Sequence, residues 1–197
     1  GYFMIKLSYD IENYRKDILD LVNPGDTVVE LGCHVGGTTR LIPQDCNVVA
    51  VDNSPEAIGE MGKLEWVKFI SGDVRRHDVL AEAFKIVQSC DVLAIDLGGG
   101  YHPDTVFKVF YIWSSTFKPT HSVIRNRGIL EFFNSAECCE EVDDNKMDDL
   151  VDSIQRNGVL TPVILRQDGL NDYEMISSHR RLHAAKLAGL SSIPAFI

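Results

Sequence analysis

Apolar residues recur at helical spacing from Tyr9 to Val22, at Ile11, Tyr14, Ile18 and Leu21, and this pattern predicts an opening amphipathic helix. Asn23-Pro24-Gly25-Asp26 is a turn that stops it. Beyond the turn, short runs of β-branched and aliphatic residues alternate with turn and helix signals. Val28–Glu30, Asn47–Asp52, Val67–Asp73, Asp91–Asp96 and Ser122–Arg125 read as strands. A glycine turn and a helix start fill the interval after the first strand. Pro103–Phe117 reads as a helix ended by Lys118-Pro119, and Gly128–Ser135 as another. Strands that alternate with helices to about residue 137 predict an α/β fold, a doubly wound parallel sheet with helices on both faces.

The pattern then changes. Acids crowd the stretch from Glu137 to Asp152, which reads as a domain boundary leading into a solvated helix start. The division expected is 1–140 and 141–197. In the second part, Lys146–Arg156 is an amphipathic helix stopped by Asn157-Gly158, and Leu160–Arg166 is a strand. Asp168–Asp172 is a hairpin turn, Tyr173–Ile176 the return strand, Ser178–Ala188 a helix closed by Gly189, and Ile193–Ile197 a last strand. This is a small α+β module. Leu150, Ile154, Val163, Leu165, Met175, Leu182 and Leu187 are its expected core.

The chemistry concentrates at the first two strands of the large part. Glu30 ends the first strand, Gly32, Gly36 and Gly37 follow, and Asp52 ends the second strand 20 residues after Gly32. Glycines let a backbone approach a ligand, and a strand-end carboxylate accepts from the hydroxyls of a ribose. A dinucleotide fingerprint places a glycine where His34 stands, and Glu30 would repel a pyrophosphate. The same anion suits a cationic ligand. Val28–Arg40 therefore resembles motif I of the class I S-adenosylmethionine-dependent methyltransferases, with His34 in place of the second motif glycine. The flavour is that of small archaeal methyltransferase-like proteins, and the resemblance covers roughly residues 5–137.

That resemblance implies a Rossmann-like sheet of seven strands, the last two an antiparallel hairpin. The chain has no room for this terminal hairpin before its character changes. The resemblance also implies that Gly72-Asp73 faces an adenine and that Asp96 lies beside a transferred methyl group. Cofactor contacts are expected from Glu30, Gly32, His34, Gly36, Asp52, Asn53, Asp73, Val74 and Asp96. Asp96, Tyr101 and His102 are the catalytic candidates, in the loop where methyl acceptors bind in the family. Plainer readings stand beside these. Glu30 and Asp52 can be solvated strand ends, Asp73 a helix N-cap, Asp96 a turn former and His34 an exposed loop side chain. Arg125 and Arg127 can meet an anionic substrate or offset nearby acids.

In the second part, Ser153–Arg166 and Tyr173–Leu190 resemble the N-terminal domain of ParB-like partition proteins. Ser178-His179-Arg180-Arg181 matches the family box whose arginines meet nucleotide phosphates, with Ser178 in place of the box glycine. The family's opening strand is not recognisable, and its second nucleotide motif and helix-turn-helix lie beyond Ile197. A fragment is expected, and the join of two such dissimilar pieces leaves a chimeric origin open.

Composition narrows the field. The net charge of −10 gives no uniform positive field, so nucleic acid is unsupported as a partner except through a local patch. No apolar run is long enough for a membrane, and no cleavable leader is read at the start. The five cysteines include no C-x-x-C pair, which favours reduced thiols in a cytoplasm and no metal site. The reading is an S-adenosylmethionine-dependent methyltransferase of unknown acceptor, with homo-oligomerisation left open. The rivals are a non-catalytic S-adenosylmethionine-binding regulator and a nucleotide- or DNA-associated partition factor.

Overall fold

The computed structural model describes residues 4–98, 102–137, 144–160, 162–167, 173–177 and 179–197. The chain divides into two compact units, Gly1–Ala136 and Glu137–Ile197.

The first unit is a six-stranded sheet. Its strands are β1 (Met4–Ser8), β2 (Thr27–Leu31), β3 (Asn47–Asp52), β4 (Val67–Ser71), β5 (Val92–Asp96) and β6 (His121–Arg125), in the order β1-β6-β5-β2-β3-β4. Every pairing is parallel. The inner strands are near-continuous apolar runs because both of their faces are covered. Val29, Leu31, Val49, Val51, Leu93, Ile95 and Ile124 pack against α3 (His77–Ile86), α4 (Pro103–Phe117) and α5 (Arg127–Ser135). Val28, Val48, Ala50, Val92, Ala94 and Val123 point the other way, onto α1 (Ile11–Leu21) and α2 (Pro55–Met61). The period-2 alternation of each strand thus feeds two separate apolar layers.

The helix ends follow local rules. Asp10 caps α1 by accepting from the Asn13 N–H at 2.8 Å, and Asn126 caps α5 by accepting from the Ile129 N–H at 3.0 Å. Pro103 opens α4, and Lys118 closes it in a left-handed conformation, φ 47°.

Two elements depart from the sequence expectation. The helix expected after the glycine turn is only a single 3₁₀ turn, Thr39–Leu41. Pro43 holds Ile42 in an extended conformation, ψ 135°, so too little chain remains for an α-helix. Met4–Ser8 is a strand that the sequence pattern did not predict. It pairs in parallel with β6 and forms the edge of the sheet. Among the described residues this sheet contains no antiparallel hairpin.

The second unit has α6 (Asp144–Asn157), β7 (Val163–Gln167), β8 (Tyr173–Ser177), α7 (His179–Leu187) and β9 (Ala195–Phe196). Its sheet order is β8-β7-β9, antiparallel on one side and parallel on the other. Ile154, Ala184 and Ala185 are buried together, and Met147, Leu150, Val151, Val159, Ala188 and Ile193 pack around them. Val163 is also buried, as expected. Leu187, an expected core residue, is 56% exposed, because Ala184 and Ala185 present the inward face of α7. The hairpin turn at 168–172, Cys138, Cys139, Tyr101 and Ser178 lie outside the described residues.

Phe117 is fully buried and stacks on Trp113, ring centroids 5.4 Å apart. Phe117→Ala is expected to cost about 3–5 kcal/mol of stability through the cavity it leaves. Urea denaturation monitored by circular dichroism measures this.

Candidate functional site

The order of the strands sets where a site can form. From β2 the chain moves outward through β3 and β4, then returns to β5 on the other side of β2 and moves outward through β6. The crevice lies between β2 and β5, above their carboxyl ends, where open α/β sheets bind ligands. A cavity of about 630 Å³ opens there. Gly32, His34, Asp52, Asn53, Asp73, Val74, Asp96 and His102 all line it, together with Gly72, Arg75, Thr105 and Arg125.

Gly32 closes β2 with φ +84°, and a Cβ on it would stand 1.8 Å from the carbonyl oxygen of Asp96. Only glycine fits at that crossing. Gly36 also has positive φ and lies beneath the turn, off the cavity wall, where a Cβ would meet Met61 Sδ at 2.9 Å. Between them His34 adopts a left-handed conformation, φ 46°, with a full side chain. Its backbone N–H donates to Asp52 Oδ2 at 2.9 Å, and its ring Nε2 lies 3.2 Å from Glu56 Oε1 on α2. Asp52 also accepts from the Ser54 N–H at 2.7 Å through Oδ1. Each carboxylate oxygen is thereby oriented by one backbone donor and keeps a second lone pair for another.

The other two carboxylates of the cavity are already paired. Asp96 receives Arg125 Nη1 at 2.9 and 3.2 Å and the Gly98 N–H at 3.2 Å. Asp73 receives Arg75 through Nε at 3.0 and 3.1 Å, Nη2 at 2.7 Å and the backbone N–H at 2.9 Å. The Arg75 guanidinium holds the Asp73 carboxyl below the usual carboxylate range. Three acids face two guanidiniums, and among the described residues Asp52 has no cationic side-chain partner. The sequence left Arg125 open between meeting a substrate and offsetting acids, and the fold gives it to Asp96. Arg127 stacks over the Tyr9 ring, 5.0 Å from its centroid.

Glu30 stands elsewhere. The sequence expected it to meet the ligand, but it is 1% exposed and does not line the cavity. The alternation of β2 turns its side chain toward α1, beneath the glycine turn. Thr39 Oγ1 donates to its Oε1, while Oε2 and the nearby Tyr14 hydroxyl have no hydrogen-bond partner among the described residues. Burial lifts the Glu30 carboxyl to about 7, the Thr39 hydrogen bond opposes that shift, and Asp96 adds to it. Burial, with Glu30 contributing, also raises the Tyr14 phenol. Cys33 is buried in the same layer and its thiol is raised by burial.

Arg75 and Thr105 are cavity residues that sequence reading passed over. The signal for Arg75 was its place two residues after a strand-end aspartate, close enough to fold back onto it. His102, φ 59°, precedes α4 and lines the cavity.

In the second unit, the box arginines do not act together. Arg180 is exposed, while Arg181 is partly buried and its Nη1 donates to the Pro162 carbonyl at 3.2 Å. His179 begins α7.

Comparison with known proteins bears on this second unit. Residues 129–197 match the ParB N-terminal domain. The match begins inside α5, ahead of position 141, where the resemblance was first read. A Neisseria meningitidis protein named probable chromosome-partitioning protein ParB is 49% identical over 57 residues, which cover 29% of this chain and 20% of that protein. Stage 0 sporulation protein J of Bacillus subtilis is 40% identical over 55 residues, covering 28% of this chain and 19% of that one. The chain therefore spans about a fifth of the length of these ParB relatives. Among solved structures, the N-methyltransferase NodS of Bradyrhizobium japonicum aligns at 12% identity with a TM-score of 0.44, covering 83% of this chain and 90% of that one.

Glu30 offers a test of the buried site. An unfolded glutamate loses its proton near 4.5, whereas the folded Glu30 keeps its own to about 7. Between those values the folded state binds the extra proton, so stability falls as pH rises through this window. The contribution is on the order of 3 kcal/mol. Glu30→Gln is expected to flatten that part of the stability–pH curve, measured by urea unfolding from pH 4.5 to 8.

Proposed function

We propose that the first unit binds S-adenosylmethionine and transfers its methyl group to an acceptor. The observation that carries this reading is the anionic crevice at the switch point, with Asp52 held by two backbone donors and left without a cation. Such a site accepts the two hydroxyls of a ribose and favours a cationic ligand over a pyrophosphate. The residues present fit the cofactor. Asp52 would take the ribose, Gly32 would let the backbone approach, and Asn53, Asp73 and Val74 would flank the adenine. Glu30 is not offered as a contact, since it lies outside the cavity.

Bound S-adenosylmethionine supplies an activated methyl on a sulfonium. The chain's own part is to orient and to exclude water. Asp96 is fixed by Arg125 and Gly98, which suits a positioning role better than proton abstraction. Catalysis then rests on proximity and alignment with a nucleophilic acceptor. His102, which lines the same cavity, is our candidate to meet that acceptor. A cytoplasmic setting fits the buried free thiols Cys33, Cys46 and Cys90. Among the described residues, no helix is long and apolar enough to cross a membrane.

The ParB-type match supports a second reading for residues 129–197, a nucleotide- or DNA-associated factor. In this chain Arg181 uses Nη1 on the Pro162 carbonyl, which ties part of its guanidinium to the fold, while Arg180 is exposed.

Two measurements separate these readings. Calorimetry on the full chain is expected to give S-adenosylmethionine binding at about micromolar Kd (roughly −8 kcal/mol). Asp52→Ala should weaken it by about 1.5–3 kcal/mol for each hydrogen bond lost to a charged partner. Tight NAD binding without S-adenosylmethionine binding would reverse the assignment. CTP titration followed by NMR is expected to show only weak, salt-dependent shifts. Saturation at low micromolar CTP with hydrolysis would favour the partition-factor reading.

A further inference from the structure

A second cavity of about 430 Å³ adjoins the first between the start of α3 and the face of α4 from Asp104 to Trp113. Val74, Arg75 and Thr105 line both cavities. Its floor is apolar, from Leu80, Val109, Ile112 and Trp113. Its rim is basic, from Arg75, Arg76, His77 and Lys108, against one acid, Asp104. Arg76 is paired with the exposed Asp78 at 3.0 Å. Among the described residues Lys108 has no carboxylate partner, so its charge is available to a ligand. A site of this size holds a one- or two-ring molecule.

We propose that this cavity binds a small amphiphilic anion, an aromatic or branched apolar body bearing one phosphate or carboxylate, and that its occupancy tightens the neighbouring cofactor site. The apolar body covers Val109, Ile112 and Leu80, and the anionic group meets Lys108 and Arg75. Arg75 carries the coupling. Its guanidinium now grips both oxygens of Asp73, and both partners are accessible enough to exchange, with side chains 66% and 24% exposed. An anion that draws Arg75 toward the second cavity releases Asp73 to accept from an adenine amino group in the first. Coupling between binding sites is reciprocal, so the cofactor tightens the anion by the same factor. Because the Arg75 side of the exchanged ion pair is largely exposed, the factor is modest, about threefold to fivefold. The coupling, but not the site itself, rests on the cofactor reading given above.

Calorimetry on the full chain with phenyl phosphate as probe tests the site first. Saturable binding below about 1 mM is expected. Benzyl alcohol and inorganic phosphate, each carrying half of the chemistry, should bind at least tenfold more weakly. Lys108→Glu should weaken phenyl phosphate at least fivefold, while Lys16→Glu on α1 leaves it unchanged. In a Trp66→Phe chain, where Trp113 is the sole indole, its emission should shift on binding. No saturable binding up to 10 mM phenyl phosphate, binding unaffected by Lys108→Glu, or displacement by a short oligonucleotide at lower concentration than by the monophosphate would each overturn the small-anion site. The coupling is read separately. Phenyl phosphate should tighten S-adenosylmethionine threefold to fivefold, and Arg75→Ala should abolish that effect. An unchanged cofactor affinity would refute the coupling. Absence of any S-adenosylmethionine binding would refute the cofactor reading and the coupling together, leaving the site to stand or fall on the phenyl phosphate result.

Discussion

The backbone contact between Gly32 and Asp96 is the constraint on which the large unit depends. The ends of β2 and β5 come so close that a single methyl on Gly32 would overlap the Asp96 carbonyl oxygen. That approach lets the chain turn away from β2 on one side and arrive at β5 on the other, which opens the crevice. The rest of the site hangs from this crossing. The glycine turn brings the His34 N–H onto Asp52, the tip of β3, and so fixes the width of the crevice on one side. The Arg125–Asp96 pair fixes the other, joining the ends of β5 and β6.

Charge is distributed by depth. Glu30 sits in the apolar layer beneath the turn, where burial lifts its carboxyl to about 7. Asp73 and Asp96 stand in the cavity wall, each under an arginine. Among the described residues, Asp52 is the one cavity acid held by backbone amides without an arginine. The Arg125–Asp96 pair, the more buried of the two, holds one wall of the cavity, and Asp52 gives the cavity its sign. Arg75 stands apart because its pair is more exposed than that of Arg125, which is 23% exposed in its side chain. An exposed ion pair costs little to exchange, and this one lies on the wall shared by two cavities.

The smaller unit is built on thinner resources. Its buried centre is one isoleucine and two alanines, ringed by partly covered aliphatic side chains. Short alanines let α7 and α6 approach closely, and the Arg181 bond to Pro162 ties α7 to the entry of β7. A unit of this size buries only a modest share of its surface.

The sequence by itself determined the elements whose pattern is both local and long. Asn47–Asp52 and Pro103–Phe117 occupy the same bounds in the structure as in the hydrophobic pattern, since an apolar run with a strand-end acid and a proline-opened amphipathic helix are self-contained signals. It also pointed to Gly32 and Asp52, a glycine and an acid at neighbouring strand ends, and the fold puts both on the wall of the large cavity. The ParB-type segment was legible from residue identities alone. Tertiary structure decided the rest. Met4–Ser8 became an edge strand only because β6 offered it a partner, a contact more than a hundred residues away in sequence. The helix after the glycine turn was lost to Pro43 and to the short span allowed between β2 and β3. Glu30 carried the right residue type for a ligand contact, but the two-residue period of β2 turned it into the core. Whether an acid at a strand end meets the ligand or the core depends on which face of the sheet it occupies, and the packing of α1 against that face settled it.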